Sequence, residues 1–292
     1  MARIAIKHLM VICKQCISGT IAAALFAVVL TSGCTTVPGQ VQLLHNGSAV
    51  ANCALPVAGT PPSEGLDSEG FSLTTWNIHK GKQQGWEQDL QVLSEHSDLL
   101  LLQEAYLTPR LRQWLDRESL DWVMAHAFSL RGYWSGVLTG SRAAQLNPCM
   151  QRITEPYLRL PKTALISYFA IQGYAQPLLV VNVHGVNFTL GSADLDAQFQ
   201  AIQTVMDSHQ GPIIMAGDFN TWNRARMAVI RQLANRNGLS TVTFAGKPVV
   251  HFGHRLDHIY YRGLIPLQSK VTEVKSSDHH PLTTTFRLDS NT

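Results

Sequence analysis

From residue 71 onward, short apolar runs of strand length alternate with stretches whose apolar positions recur at helical spacing. Residues 73–78 and 99–102 read as strands, and helices are predicted near 86–95 and 109–117. The continuous apolar run 178–183 has the character of a strand buried on both faces. After it, Leu195, Phe199, Ile202 and Met206 fall on one face of a helix that Ser192 and Asp194 would cap and start. Further strands are predicted at 213–216, 258–261 and 282–288. No short-period repeat or second break in composition interrupts the pattern, so one α/β domain over 71–288 is expected.

The first 33 residues follow a different pattern. Arg3, Lys7 and Lys14 precede an uncharged apolar stretch, 17–30, which ends in Thr31-Ser32-Gly33-Cys34. A positive start, a short apolar centre and small residues at a boundary describe an export signal, whereas a spanning helix needs ~20 apolar residues. Cys34 after Ser-Gly resembles the cleavage box of a bacterial lipoprotein, although Leu30 lies one place further from the cysteine than usual. The resemblance implies a lipid on Cys34 and, with Thr35 rather than Asp next, an outer-membrane or periplasmic place in the bacterial envelope. Secretion, or an inner-membrane anchor through 17–30, is the alternative. Residues 34–70 are rich in Pro, Gly and Ser, show no sustained period and read as a tether; 289–292 read as a tail.

The chain has 292 residues, 45% of them hydrophobic, which suffices for a buried core. Its 23 Lys plus Arg exceed its 20 Asp plus Glu by the three basic residues of the leader, so the remainder is balanced. A neutral chain lacks the long-range attraction behind non-specific nucleic-acid binding. Arg224, Arg226, Arg231, Arg236, Lys247 and Arg255 nevertheless follow one another between 219 and 256 with no acid. That run is either a solvated helix face or a phosphate-facing rim. Cys13 and Cys16 fall in the leader; with Cys34 lipidated, Cys53 and Cys149 remain as a possible disulfide in an oxidising envelope.

Polar residues gather where strand-like runs end. Glu104 follows a buried run, so it needs a cation or hydrogen bonds to offset lost hydration; Mg2+ or Mn2+ would suit it, as would a role capping the helix near 109. Asp218 and Asn220 are expected on one face of an extended strand end, Asp218 accepting a proton from water and Asn220 holding the water or phosphate. His279, flanked by Asp278, would stabilise developing negative charge as an imidazolium. His184 and Asn187 could add two polar contacts. A zinc hydrolase is disfavoured because His251-Phe252-Gly253-His254 lacks a third clear ligand, and a serine hydrolase because no Gly-x-Ser-x-Gly occurs.

Taken in order, Trp76-Asn77, Leu102-Gln103-Glu104, Asn182-Val183-His184, Gly217-Asp218-Phe219-Asn220, Arg255-Leu256-Asp257-His258 and Ser277-Asp278-His279 resemble the endonuclease/exonuclease/phosphatase superfamily. Glu155-Pro156, Leu158-Arg159-Leu160, Lys162 and the run from His184 to Phe188 are similar to a little-studied bacterial subgroup of it. The resemblance implies a DNase I-like fold, a four-layered α/β/β/α sandwich of two packed mixed β-sheets flanked by helices. It implies Glu104 as the main metal ligand with Asn77 and Asp278 beside it. Asp218 and Asn220 would activate and orient water, with Asp257 orienting His279. His184, Asn77, Asn187, Arg159 and Lys162 would bind phosphate. The expected activity is divalent-metal-dependent hydrolysis of phosphodiesters, preferentially by a nuclease acting on nucleic acid at the envelope; the basic run and Trp222, which could stack on a base, favour that substrate. A phospholipid or sphingomyelin-type phosphodiesterase is favoured instead by the membrane anchor, and a non-catalytic phosphate-binding lipoprotein is the third reading. No obligate protein partner is expected.

Overall fold

The structure is a computed structural model that describes residues 35–51, 53, 65–189 and 191–290. The export signal, Cys34 and the end of the tail lie outside the described residues. Strands are β1 (Thr35–Thr36), β2 (Leu43–His45), β3 (Ser48–Val50), β4 (Phe71–Asn77), β5 (Leu99–Tyr106), β6 (Asp121–Leu130) and β7 (Tyr133–Ser141). There follow β8 (Leu146–Thr154), β9 (Pro161–Ile171), β10 (Tyr174–His184), β11 (Ile213–Asp218) and β12 (Ser240–Thr241). The last five are β13 (Val250–His251), β14 (His254–Arg255), β15 (Asp257–Arg262), β16 (Leu264–Val271) and β17 (Leu282–Leu288). Four α-helices are described, α1 (Trp86–Ser94), α2 (Pro109–Glu118), α3 (Ala193–Asp207) and α4 (Arg224–Arg236), with a 3-10 turn at His79–Gly81.

Two mixed sheets pack face to face, one ordered β16-β17-β4-β5-β7-β6-β2-β3 with β1 beside β6, the other β12-β15-β11-β10-β9-β8. Only β4–β5 and β10–β11 pair in parallel within them. The two-residue side-chain period sorts each strand between layers. Leu99 and Leu101 face the core between the sheets with Phe71, Phe169, Val180, Ile214 and Phe286. Leu100 and Leu102 point outward, beneath Leu90 of α1 and Leu111, Trp114 and Leu115 of α2. Likewise Leu179, Val181 and Val183 are covered by Leu195, Phe199 and Ile202 of α3 and Ile230 of α4. The layers are helix, sheet, sheet, helix.

Asn182 points into the inter-sheet core, where its Oδ1 accepts from Gln103 Nε2 at 2.8 Å and its Nδ2 donates to the Leu138 carbonyl at 2.9 Å. This amide pair ties β5 to β10 across the sandwich and fixes how the two sheets' strand ends face each other. β4, β5, β10 and β11 all finish at that end, and β15 begins there.

Two expectations change. The segment from 34 to 70 is not simply a tether: β1 and β2 both pair with β6, Leu43 is buried, and Arg152 donates to the carbonyls of Pro38 and Gln40. Cys53 is disulfide-bonded to Cys149 of β8. Strands of two and three residues are too short to show a period, so composition alone described them as linker. Ser192 does precede α3, but it has no side-chain capping bond; its carbonyl accepts from Asp196 instead.

Candidate active site

The chain end of β11 is built by its neighbours. Gly217 has φ 142°, and a Cβ there would overlap the Val183 carbonyl of β10, so only glycine lets the two parallel strands approach this closely. Asp218 then lies in register between His184 on β10 and Asp257 on β15. Phe219 is fully buried, stacked on Phe199 with centroids 5.6 Å apart and edge-on to Tyr260. At Asn220 the chain leaves extended geometry: its φ is 52°, in the left-handed region. The expected strand-like alternation of Asp218 and Asn220 is thus replaced by a turn. Asn220 N donates to Asp218 Oδ1 at 3.0 Å, and Asn220 Nδ2 donates to the Gly185 carbonyl at 2.9 Å.

Glu104 is aimed in a similar way. The β5–β7 ladder slips between Leu102 and Ala105, and Glu104 takes φ 50°, the signature of a bulge that turns one side chain out of the sheet's alternation. Its carboxylate pairs with Lys80 Nζ from the 3-10 turn. Burial alone would raise the Glu104 pKa, but His184, Lys80 and Lys162 outweigh it and hold the carboxyl well below the usual range.

Asp218 is the hub. Asn77 Nδ2 donates to its Oδ2 at 3.0 Å, while His184 Nε2 lies 3.6 Å and His279 Nε2 3.9 Å from the same oxygen. His279 Nδ1 is 2.8 Å from Asp257 Oδ2, and Asp278 instead pairs with His79 at 3.3 Å. For His279, burial would lower the pKa; Asp257 first and Asp218 second overturn that and push it up to about 10. His184 goes the other way. Burial, then Lys162 with its Nζ 2.8 Å from Nε2, pushes it down to about 3. One imidazole is therefore held cationic and the other neutral across a single carboxylate.

Asn77, Glu104, Lys162, Asn187, Asp218, Asn220, Asp278 and His279 line a cleft of about 590 Å³, while His184 and Lys80 line a smaller cavity beside it. Arg159 is not among them; it sits exposed on the turn after β8, its N–H bonded to the Glu155 carbonyl. The basic run is dispersed as well. Arg226 is fully buried, donating to the carbonyls of Asn220 and Val186 and to Thr189 Oγ1, with its guanidinium 5.3 Å from the Trp222 ring. Arg236 bonds Gln203 of α3 on the sandwich's outer face. Neither forms a rim on the cleft, because the helical period of α4 turns them to other sides.

Lys80 escaped sequence reasoning, and the structural roles of Glu155 and Arg226 did too, although the first stood in the subgroup motif and the second in the basic run. Glu155 Oε1 accepts from the N–H groups of Asn187 and Phe188, and Asn187 Oδ1 accepts from Trp222 Nε1, so the loop after β10 is fastened from both sides. Lys80 carried one signal, its place three residues after Asn77. For Glu155 and Arg226 the sequence offered only a motif and a run of charge; their burial is what marks them as holding the loops in place.

Among the described residues, Asp218, Asp257 and His279 offer ligand atoms within 4.8 Å of one another. With His279 cationic and its Nδ1 committed to Asp257, that trio suits proton transfer better than metal ligation. Glu104, Asn77 and Asp278 instead bring hard oxygen donors to the same cleft, which fits Mg2+ or Mn2+.

The architecture is the DNase I-like fold: the endonuclease/exonuclease/phosphatase structure from Beutenbergia cavernae superposes with a TM-score of 0.60 at 18% identity, over 75% of this chain and 72% of that one. Residues 74–279 match the Endonuclease/Exonuclease/phosphatase family, and the chain belongs to it. Bacterial relatives described as UPF0294 proteins share 34% identity over 257 residues in Vibrio parahaemolyticus, covering 87% of this chain and 91% of the relative. In Yersinia pseudotuberculosis the identity is 38% over 234 residues, 78% of this chain and 88% of that protein.

Proposed function

We propose that the protein is a divalent-metal-dependent phosphodiesterase in which water is the nucleophile. The observation that carries this reading is the geometry around Asp218: His184 and His279 approach the same carboxylate oxygen from two sides, Asp257 holds His279, and Asp218 and Glu104 line one cleft. Asp218 accepts the proton of the attacking water. Asn220 fixes the loop that carries the base and presents its amide beside it. His279, oriented by Asp257, stabilises charge on the phosphoryl oxygens and can return a proton to the leaving group. Neutral His184 donates or accepts one hydrogen bond without adding charge, while Lys162 supplies a cation to the substrate. Glu104, Asn77 and Asp278 would hold Mg2+ or Mn2+, which when bound polarises the phosphoryl oxygen.

A nuclease remains the sequence-based choice of substrate, but its support has narrowed to Trp222 and Lys162 at the cleft, because the burial of Arg226 and the outward placement of Arg236 remove them from a phosphate track. The envelope location and lipid on Cys34 belong to the same proposal. The test is turnover of bis(4-nitrophenyl) phosphate in Mg2+, Mn2+ or EDTA. Metal-dependent release is expected, falling on the order of 10²- to 10⁴-fold in Asp218→Ala and in His279→Ala. Near wild-type turnover in either variant would remove that residue from the chemistry.

A further inference from the structure

A second cavity, of about 250 Å³, opens beside the first and shares Glu104, Lys162 and Phe188 with it. Lys80, Glu155 and His184 extend the charged wall, and the opposite side is apolar: Phe128, Leu130, Leu158, Leu160 and Pro161. Thr35 also lines it. That residue begins β1, pairs with Leu130 on β6, and is where the described chain begins.

The sequence places an apolar stretch at 17–30, only residues 31–34 away from Thr35. Four residues span at most ~14 Å when fully extended, and Cys34 itself lies one Cα step, ~3.8 Å, from Thr35. With residues 35–50 built into the sheet, no free linker separates the body of the protein from that stretch or from a lipid on Cys34. An anchor there would hold this edge of the sandwich, and the two cavities with it, against the bilayer.

The surface around the openings suits that contact. Leu158 is 51%, Phe188 54% and Phe252 88% exposed, although Leu158 and Phe252 each line one of the two cavities and Phe188 lines both. Tyr157 beside Leu158 and Tyr133 opposite Leu130 are exposed too. Large apolar side chains collected at a cavity mouth mark an interaction surface. Exposed Arg131, at the β6–β7 hairpin tip, and exposed Arg159, next to Leu158, add positive charge where anionic headgroups would lie.

We propose that the protein works on the membrane surface and hydrolyses a phospholipid phosphodiester, with the apolar side of that cavity, at Leu130 and Leu158, receiving the lipid's apolar arm. The proposal rests on the phosphodiesterase reading above. Water oxygen forms the new bond to phosphorus as one ester P–O bond breaks; the water proton passes through Asp218, and a proton reaches the leaving oxygen from His279. The products are a phosphate monoester and an alcohol, with no co-reactant beyond water.

The full-length protein, reconstituted in vesicles of phosphatidylethanolamine and phosphatidylglycerol, tests this. A flexible Gly-Ser linker of about ten residues inserted between Cys34 and Thr35 frees the body from the anchor without altering a site residue. Hydrolysis of vesicle lipid should fall about tenfold or more on insertion, while turnover of soluble bis(4-nitrophenyl) phosphate holds. Leu158→Glu with Arg159→Glu should likewise lower lipid hydrolysis relative to the soluble probe. Independently of turnover, hydrogen exchange at 130–133 and 157–160 should be slower in the parent than in the linker variant in the same vesicles. Equal exchange in both, or cleavage of the soluble probe or plasmid DNA with lipid left intact, overturns the proposal. Failure to cleave even the soluble probe removes the phosphodiesterase reading and this one together.

Discussion

At Glu104 and Asn220 the backbone itself is part of the site. Both adopt left-handed φ values that cost a non-glycine residue of order 1–3 kcal/mol, and both are held there by neighbours: the β5 bulge for one, the Asp218 and Gly185 hydrogen bonds for the other. Replacing Asn220 with Gly keeps that backbone but deletes the amide. Its activity should therefore drop at least about tenfold while its urea midpoint moves little, because relief of the left-handed strain offsets the lost bond to the Gly185 carbonyl, a split that tells positioning of water from folding. Arg226 is the opposite case. Its guanidinium satisfies the carbonyls of Asn220 and Val186 at once, so Arg226→Met leaves two buried acceptors bare. A loss of about 1–3 kcal/mol per unmet group is expected in urea unfolding.

At the scale of elements, the central strands were legible because burial on both faces leaves long apolar runs, as in β5 and β10. The antiparallel block β6 to β9 was not read, since Thr139, Ser141, Thr163 and Ser167 are buried polar residues that interrupt an apolar count. Those groups lie in a core that tolerates them through bonds such as Ser167 to Gln145 at 3.0 Å. The Gln103–Asn182 bridge has the same logic across sheets. Asn182→Leu should cost roughly 1–3 kcal/mol by removing the cross-sheet bridge, leaving Gln103 Nε2 only its partners on its own sheet, Thr75 Oγ1 and the Leu101 carbonyl, and it should also lower turnover by loosening the two strand ends that carry Glu104 and His184. The Cys53–Cys149 disulfide, which closes a separation of 96 residues, fastens the N-terminal strands to β8. Reduction should lower stability by about 2–4 kcal/mol, read as a shift of the unfolding midpoint with dithiothreitol.

For the whole molecule, the two histidines give stability an opposed pH dependence. His279 binds its proton more tightly in the fold than at its ordinary value of 6.5. Its contribution is complete below that value and is lost as pH rises toward about 10. His184, pushed down to about 3, is the reverse: the fold holds it neutral, so its contribution is present above 6.5 and is lost as pH falls toward about 3. Urea midpoints should therefore decline on both sides of neutrality, and Asp257→Asn, which removes the largest cause raising His279, should flatten the alkaline limb alone.

The sequence by itself determined the family and which residues to expect at the candidate site, because Asn77, Glu104, His184, Asp218, Asp257 and His279 each sit next to a strand whose apolar pattern marks where it ends. It also showed that an uncharged apolar stretch, 17–30, precedes the domain. Only the tertiary structure decided which of them meet. His279 turns to Asp257 rather than to its neighbour Asp278, Lys80 reaches Glu104, and Arg226 and Arg236 leave the cleft. The reason is that pairing across strands is set by register and by bulges, which depend on contacts between segments distant in sequence, whereas periodicity records only each segment's own exposure. For the same reason residues 35–50 read as linker: their two- and three-residue strands acquire meaning from β6, not from themselves.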